Sequence, residues 1–172
     1  MDCVSGPLEQ SVSRTQGEPG ERVSSIKEIT GDIWDYHAQG HWIVITTNGS
    51  VNRYGEAVMG RGVALQAKQK FPLLPAKLGK ALREADNIPH MFHEYRILTL
   101  PVKRYWYEKA SLLLIETSVK YFIQSVNNAF LPNVAIYMVR PGCGNGQLDW
   151  AEVKPILEKY LDDRFIVVER GK

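Results

Sequence analysis

Two kinds of residue in this sequence could do chemistry: a lysine at the end of an apolar run, and glycines gathered into two clusters. Lys103 follows Leu100-Pro101-Val102 and opens the basic and aromatic segment Arg104-Tyr105-Trp106-Tyr107. A lysine whose pKa is depressed can attack a carbon centre and form a Schiff base. Protonated, it can instead stabilise a leaving group, and in the plainest reading it is a surface charge after a strand. The first glycine cluster spans residues 48–62 and the second spans residues 140–150. Glycine lets a ligand approach the backbone with no Cβ in the way. Backbone N–H groups in such a turn, beside a helix N-terminus, form an anion cradle. One cluster alone reads as a tight connection. Two facing each other suit an elongated ligand with a pyrophosphate.

Other candidates are weaker. His90 and His93 are three apart in a loop, without a third ligand or a helix beneath them, so they read as exposed loop histidines. Cys143 lacks a nearby histidine to act as base and reads as a small loop residue. Asp149 begins a D-x-x-E pattern with Glu152 and reads as a helix cap before it reads as an acid. Tyr105, Trp106 and Tyr107 can stack a splayed base or pack a rim.

The elements that must position these residues alternate. Residues 25–31 form a short edge strand. Residues 42–47 are a continuous β-branched run, the pattern of a strand covered on both faces. Val63, Ala64, Ala67 and Phe71 repeat at helical spacing until Pro72, and a second helix runs over residues 75–86. Residues 87–94 are a loop, and residues 96–100 a strand. Ser111 caps a helix over residues 112–127. Residues 134–139 form another buried strand. Pro155 should kink or shorten the last helix, and residues 165–169 close the sheet. Strands alternating with helices imply an α/β fold whose mainly parallel sheet is covered on both faces. Ligands then bind outside the carboxyl ends of the strands, where both glycine clusters and Lys103 fall.

The chain of 172 residues is most simply one domain, with residues 1–23 a disordered, polar tail that lacks the apolar run of a secretory leader. A net charge of +2 does not advertise a polyanion-binding surface, so any nucleic-acid contact must come from a local patch. Two cysteines, Cys3 and Cys143, make neither a disulfide framework nor a zinc cluster and fit a cytoplasmic setting. No run reaches transmembrane length, and no metal or cofactor is implied. The runner-up is a dinucleotide-binding Rossmann domain, but the G-x-G-x-x-G and Walker patterns are absent, which argues against ordinary NAD-dependent dehydrogenase or kinase chemistry.

At these positions the sequence resembles the macrodomain family, which binds ADP-ribose. Gly31-Asp32-Ile33 is similar to the family's early G-D-I element, and Val44-Ile45-Thr46-Thr47-Asn48 to its V-N-x-x-N strand end. Met59-Gly60-Arg61-Gly62-Val63-Ala64 resembles the M-G-K-G-I-A first loop, and Pro141-Gly142-Cys143-Gly144 the second loop. The resemblance covers about residues 26–168 and implies a three-layer α/β/α macrodomain with a mixed, mainly parallel sheet over residues 24–172. The M-G-R-G form, Leu100-Pro101-Val102-Lys103 and G-C-G-x-G-x-L-D-W resemble one branch. It holds the DNA ADP-ribosyl glycohydrolase antitoxins and the terminal ADP-ribose protein glycohydrolase. A lysine at the end of the middle strand is catalytic there, and it matches Lys103. The loop over residues 48–59 is several residues longer than in that branch. The acidic partner of the protein-directed enzymes falls at Gly146, with Asp149 three residues later, which leans towards the DNA-directed activity.

The resemblance assigns roles. Asp32 takes the adenine amino hydrogen, although by sequence alone it is as readily a turn residue or helix cap. Asn48, whose donor and acceptor together suit a ribose diol, is catalytic beside Lys103, or else performs Asn-Gly turn chemistry. Ile33, Met59, Gly60, Arg61, Gly62 and Val63 line the ligand on one side, with Arg61 free to point outward instead. Pro141, Gly142, Cys143, Gly144, Asn145, Gly146 and Gln147 line it on the other. The implied activity is hydrolysis of a glycosidic bond from ADP-ribose to a DNA base or protein side chain, by a monomer with no membrane partner. The alternatives are a non-catalytic ADP-ribose reader and an ADP-ribose 1″-phosphate phosphatase.

Overall fold

The computed structural model describes residues 26–129 and 133–171. The expected tail at residues 1–23, with Cys3, lies outside the described residues. In chain order the elements are β1 (Lys27–Thr30), α1 (Ile33–Ala38), β2 (Trp42–Asn48), α2 (Gly62–Lys70), α3 (Leu74–Ala85), β3 (Met91–Phe92), a 3-10 turn (His93–Tyr95), β4 (Ile97–Lys103), α4 (Leu112–Asn128), β5 (Ile136–Met138), α5 (Trp150–Tyr160) and β6 (Phe165–Glu169). The strands form one six-stranded sheet in the order β1-β6-β5-β2-β4-β3. All pairs are parallel except β3 with β4, so the sheet is mixed and mainly parallel.

The unbroken apolar run of β2 follows from its central place. Ile43 and Ile45 face one apolar cluster and Val44 the other, and none of the three is exposed to solvent. Fully burying each such side chain stabilises the fold by about 1.5–3 kcal/mol. One helical layer packs Ile115, Val119 and Phe122 of α4 and Val153 and Leu157 of α5 against Val44, Leu98 and Leu100. The opposite layer packs Ile33 of α1, Ala64 and Ala67 of α2, and Leu74, Leu78 and Leu82 of α3 against Ile43, Ile45 and Ile97. Among the described residues no helix is long and apolar enough to cross a membrane.

One open alternative is resolved and two features depart from the sequence reading. Asp32, readable as a turn residue or helix cap, caps the short helix α1, its Oδ1 accepting from the Trp34 N–H at 2.9 Å. Residues 87–94 are not all loop, because Met91 and Phe92 add the antiparallel edge strand β3. Pro155 does not shorten α5, which runs 11 residues through it. The carbonyl that loses its partner belongs to Ala151, which is exposed, so water can satisfy it. The predicted caps are present: Ser111 Oγ accepts from Leu114 N–H, and Asp149 with Glu152 forms a capping box on α5.

Candidate functional site

A cleft of about 710 Å³ opens at the carboxyl ends of the strands, within the size range of ligand pockets. The β2–β4 pairing sets its floor. Thr47 pairs with Pro101, the register then slips, and Asn48 pairs with Lys103 rather than with Val102. The slip is a bulge that leaves Val102 in the apolar core and delivers Lys103 to the cleft beside Asn48.

The turn after β2 and the segment after β4 are laced together. Gly49 N–H donates to Arg104 O at 2.9 Å and Trp106 N–H to Ser50 Oγ at 3.0 Å, while Asn87, in the loop after α3, donates its Nδ2 to Lys103 O at 3.2 Å. A Cβ on Gly49 would lie 2.9 Å from Arg104 O, so only glycine permits this approach. Asn48 is itself part of the lacing: Oδ1 accepts from Ser50 N–H at 2.8 Å and Nδ2 donates to Val58 O at 3.1 Å. Its side chain therefore holds the loop in shape and faces the cleft at once.

One wall is the first glycine loop. Gly60, Arg61, Gly62 and Val63 line the cleft where α2 begins. No side chain caps α2, and its first turn carries no acid, so its N-terminal N–H groups face the cleft without a protein anion. The other wall is the second loop, from which Gly142, Cys143, Gly144, Asn145 and Gly146 line the cleft. This loop is pinned to the segment after Lys103, with Ala110 N–H donating to Gly146 O at 3.0 Å, and that segment is closed back onto β4 by Ser111 N–H donating to Val102 O at 2.9 Å. The walls come close: a Cβ on Gly62 would lie 3.1 Å from Asn145 Nδ2.

The glycines divide into two kinds. A Cβ on Gly146 would sit 2.5 Å from Gly142 O, so that glycine serves the protein's own packing. At Gly60 and Gly144 an added Cβ would meet no protein atom, and neither has a left-handed φ. Nothing in the fold requires glycine there; the space kept open belongs to the cleft.

The far end is lined by Gly31, Asp32 and Ile33 at the start of α1 and by Val168, Glu169 and Arg170 at the end of β6. Gln66 joins them, its Oε1 accepting from Trp34 Nε1 at 2.8 Å and so tying α1 to α2. Arg140 lines the cleft too and is braced from behind by Glu169 at 3.2 Å and Glu28 at 3.7 Å, with its guanidinium over Trp150.

Electrostatics single out Lys103. Burial holds its amine below the ordinary lysine range, the Arg61 guanidinium pushes it the same way, and Glu108 opposes both. Arg61 therefore acts on the cleft whatever its solvent exposure. Burial raises the Cys143 thiol instead, and its Sγ donates to Pro141 O at 3.5 Å, which suits a packed residue rather than a nucleophile.

Three residues expected at the ligand do not line the cleft. Met59 is 2% exposed and supports the first loop from the core, Pro141 is buried beneath the second loop, and Gln147 is turned out to solvent. Arg140, at the start of the second cluster, lines the cleft as expected, and Thr46, Gln66, Val139, Glu169 and Arg170 line it beyond the residues the sequence points to. Val139 follows β5 and Glu169 ends β6, at the strand ends where such folds bind ligands. His90 reaches Asp86 O at 3.2 Å and His93 lies edge-on to Trp42, so both are engaged locally.

These features define a class of fold. The chain superposes on the macrodomain of Mycobacterium tuberculosis DarG with a TM-score of 0.68 and 23% identity, over 86% of this chain and 99% of that one. It also matches Thermosipho africanus DarTG in complex with ADP-ribose, with a TM-score of 0.64 and 18% identity, over 76% of this chain and 38% of that one. The chain is a macrodomain in fold.

In sequence it is similar to the DNA ADP-ribosyl glycohydrolase of Thermus aquaticus, 30% identical over 66% of this chain and 33% of the relative. It is likewise similar to the DNA ADP-ribosyl transferase–DNA ADP-ribosyl glycohydrolase fusion protein of Thermosipho africanus, 24% identical over 70% of this chain and 36% of the relative. The chain thus spans about a third of the length of the curated relatives it matches. No protein-family model matches it.

Proposed function

We propose that this macrodomain is an ADP-ribosyl glycohydrolase that removes ADP-ribose from modified DNA bases. The observation that carries the reading is the Asn48–Lys103 pair, set between two glycine walls at the end of the central strands. The relatives' names and the ADP-ribose complex of the Thermosipho africanus protein support the ligand and the reaction class.

In this reading the diphosphate lies between the uncapped start of α2 and the second glycine loop, where Gly60 and Gly144 leave room for its oxygens. Asp32 and Ile33 receive the adenine. The terminal ribose then lies over Asn48 and Lys103. The neutral Lys103 amine attacks C1″; a C–N bond forms as the C1″–base bond breaks, and the base leaves with the bonding electron pair and takes up a proton. Ring opening gives an iminium between Nζ and C1″. Water adds to that carbon, the C–N bond breaks, and ADP-ribose and the free amine are released. Asn48 orients the ribose hydroxyls through the hydrogen-bonding capacity its loop contacts leave over.

The test is turnover of an ADP-ribosylated oligonucleotide, run beside an ADP-ribosylated acidic peptide and ADP-ribose 1″-phosphate. Release from the oligonucleotide, lost in Lys103→Ala with ADP-ribose binding kept, is the expected result. Binding without release from any of the three would make the chain a reader.

A further inference from the structure

Beyond Lys103 the chain makes a β-turn whose side chains the hydrolysis above does not use. Glu108 N–H donates to Tyr105 O at 3.1 Å, and Tyr105 N–H to Glu108 Oε1 at 3.1 Å, closing the turn on itself. The turn presents three consecutive aromatic residues to solvent, with Tyr105 43%, Trp106 54% and Tyr107 66% exposed. Their arrangement is ordered: the Tyr105 and Tyr107 rings are parallel at 5.6 Å, and Trp106 stands edge-on to Tyr107 at 5.7 Å. The backbone beneath is fixed to the first loop by the Trp106–Ser50 bond. Trp106 lines the cleft, while Tyr105 and Tyr107 lie beyond it. Arg104 and Lys109 flank the turn and are exposed.

A contiguous group of exposed, pre-ordered rings beside cations marks an interaction surface. Nucleobases stack on such rings regardless of sequence, because every base has a π-face, and the cations serve the phosphates between them. The bases of a duplex are already stacked and offer no free face. We propose that the Tyr105–Tyr107 turn is a stacking platform for single-stranded nucleic acid, with Trp106 against the base that carries ADP-ribose and the tyrosines against its neighbour. The placement of the modified base rests on the function proposed above; the platform itself does not.

The experiment measures fluorescence anisotropy of a labelled, unmodified single-stranded deoxyoligonucleotide, so it is independent of turnover. Tyr107→Leu should weaken binding about 10-fold, Tyr107→Phe should restore it, and annealing the complementary strand should abolish the part that depends on the ring. ADP-ribose affinity should not change in either variant, because Tyr107 lies outside the cleft. These outcomes uphold the platform even if the chain releases no ADP-ribose from DNA. Equal binding by wild type and Tyr107→Leu, equal binding of duplex, or a preference for an ADP-ribosylated peptide over the oligonucleotide would overturn it, even if DNA turnover is confirmed.

Discussion

Asn48 and Lys103 face each other as register partners on adjacent parallel strands only because the ladder slips one residue before them. Continued pairing from Thr47–Pro101 would have set Asn48 against Val102. The slip sits where β3 no longer covers β4, since β3 pairs only with Ile97 and Leu98, and it falls just after Pro101, which has no N–H to give. A local irregularity thus places an amine and an amide side by side.

Lys103→Ala should bind ADP-ribose within a few-fold of wild type and lose at least about 10³-fold in turnover, the loss expected when a nucleophile is removed. Calorimetry and single-turnover assays on one preparation separate the two effects. Equal losses of binding and rate would make Lys103 a binding residue.

The acid limb of the pH–rate profile should report the Lys103 amine. Its pKa is depressed and it acts neutral, so turnover rises with pH through that pKa and levels off above it. Arg61→Gln removes a cation that lowers the pKa, so the limb should move to higher pH. A limb that stays put, or turnover that falls with pH over that range, contradicts a neutral amine.

Gly60→Ala and Gly144→Ala should fold normally, with melting temperatures unchanged or slightly raised, because alanine restricts the unfolded chain by about 0.4–1 kcal/mol where the native φ suits it. Both should lose ADP-ribose affinity, by about 10-fold or more for a methyl group set against a phosphate. Gly146→Ala is the contrast: its Cβ would meet Gly142 O at 2.5 Å, and thermal unfolding should show a clear loss of stability.

Asn48→Ala should destabilise the fold by about 1–3 kcal/mol, because Ser50 N–H and Val58 O both lose their partner. Asn48→Asp keeps the acceptor for Ser50 and should recover part of that stability but not the turnover. Chemical denaturation and rate assays on the two variants distinguish the loop role from the chemical one.

Much of this was readable from residue order, for reasons that particular positions make clear. The β2 run is long and β-branched because both of its faces are covered, and Ser111 and Asp149 cap because their side-chain oxygens meet free N–H groups. The α1 helix escaped because six residues give too short a period to see, although Asp32 was its cap. The bulge at Thr47–Asn48 is a relation between two strands and leaves no mark on either alone. Met59 and Gln147 sit in the right loops but face the core and the solvent, because the turns that carry them decide orientation; Gln147 has a left-handed φ of 65°.

The most direct test of the central claim is to trap the bond between Lys103 and the sugar. Wild-type protein is mixed with ADP-ribosylated oligonucleotide, reduced with borohydride during turnover, digested and analysed by mass spectrometry. The account predicts an ADP-ribosyl adduct on the peptide bearing Lys103, absent without reductant and absent in Lys103→Ala. Full turnover with no adduct, or an adduct on another lysine, would contradict it.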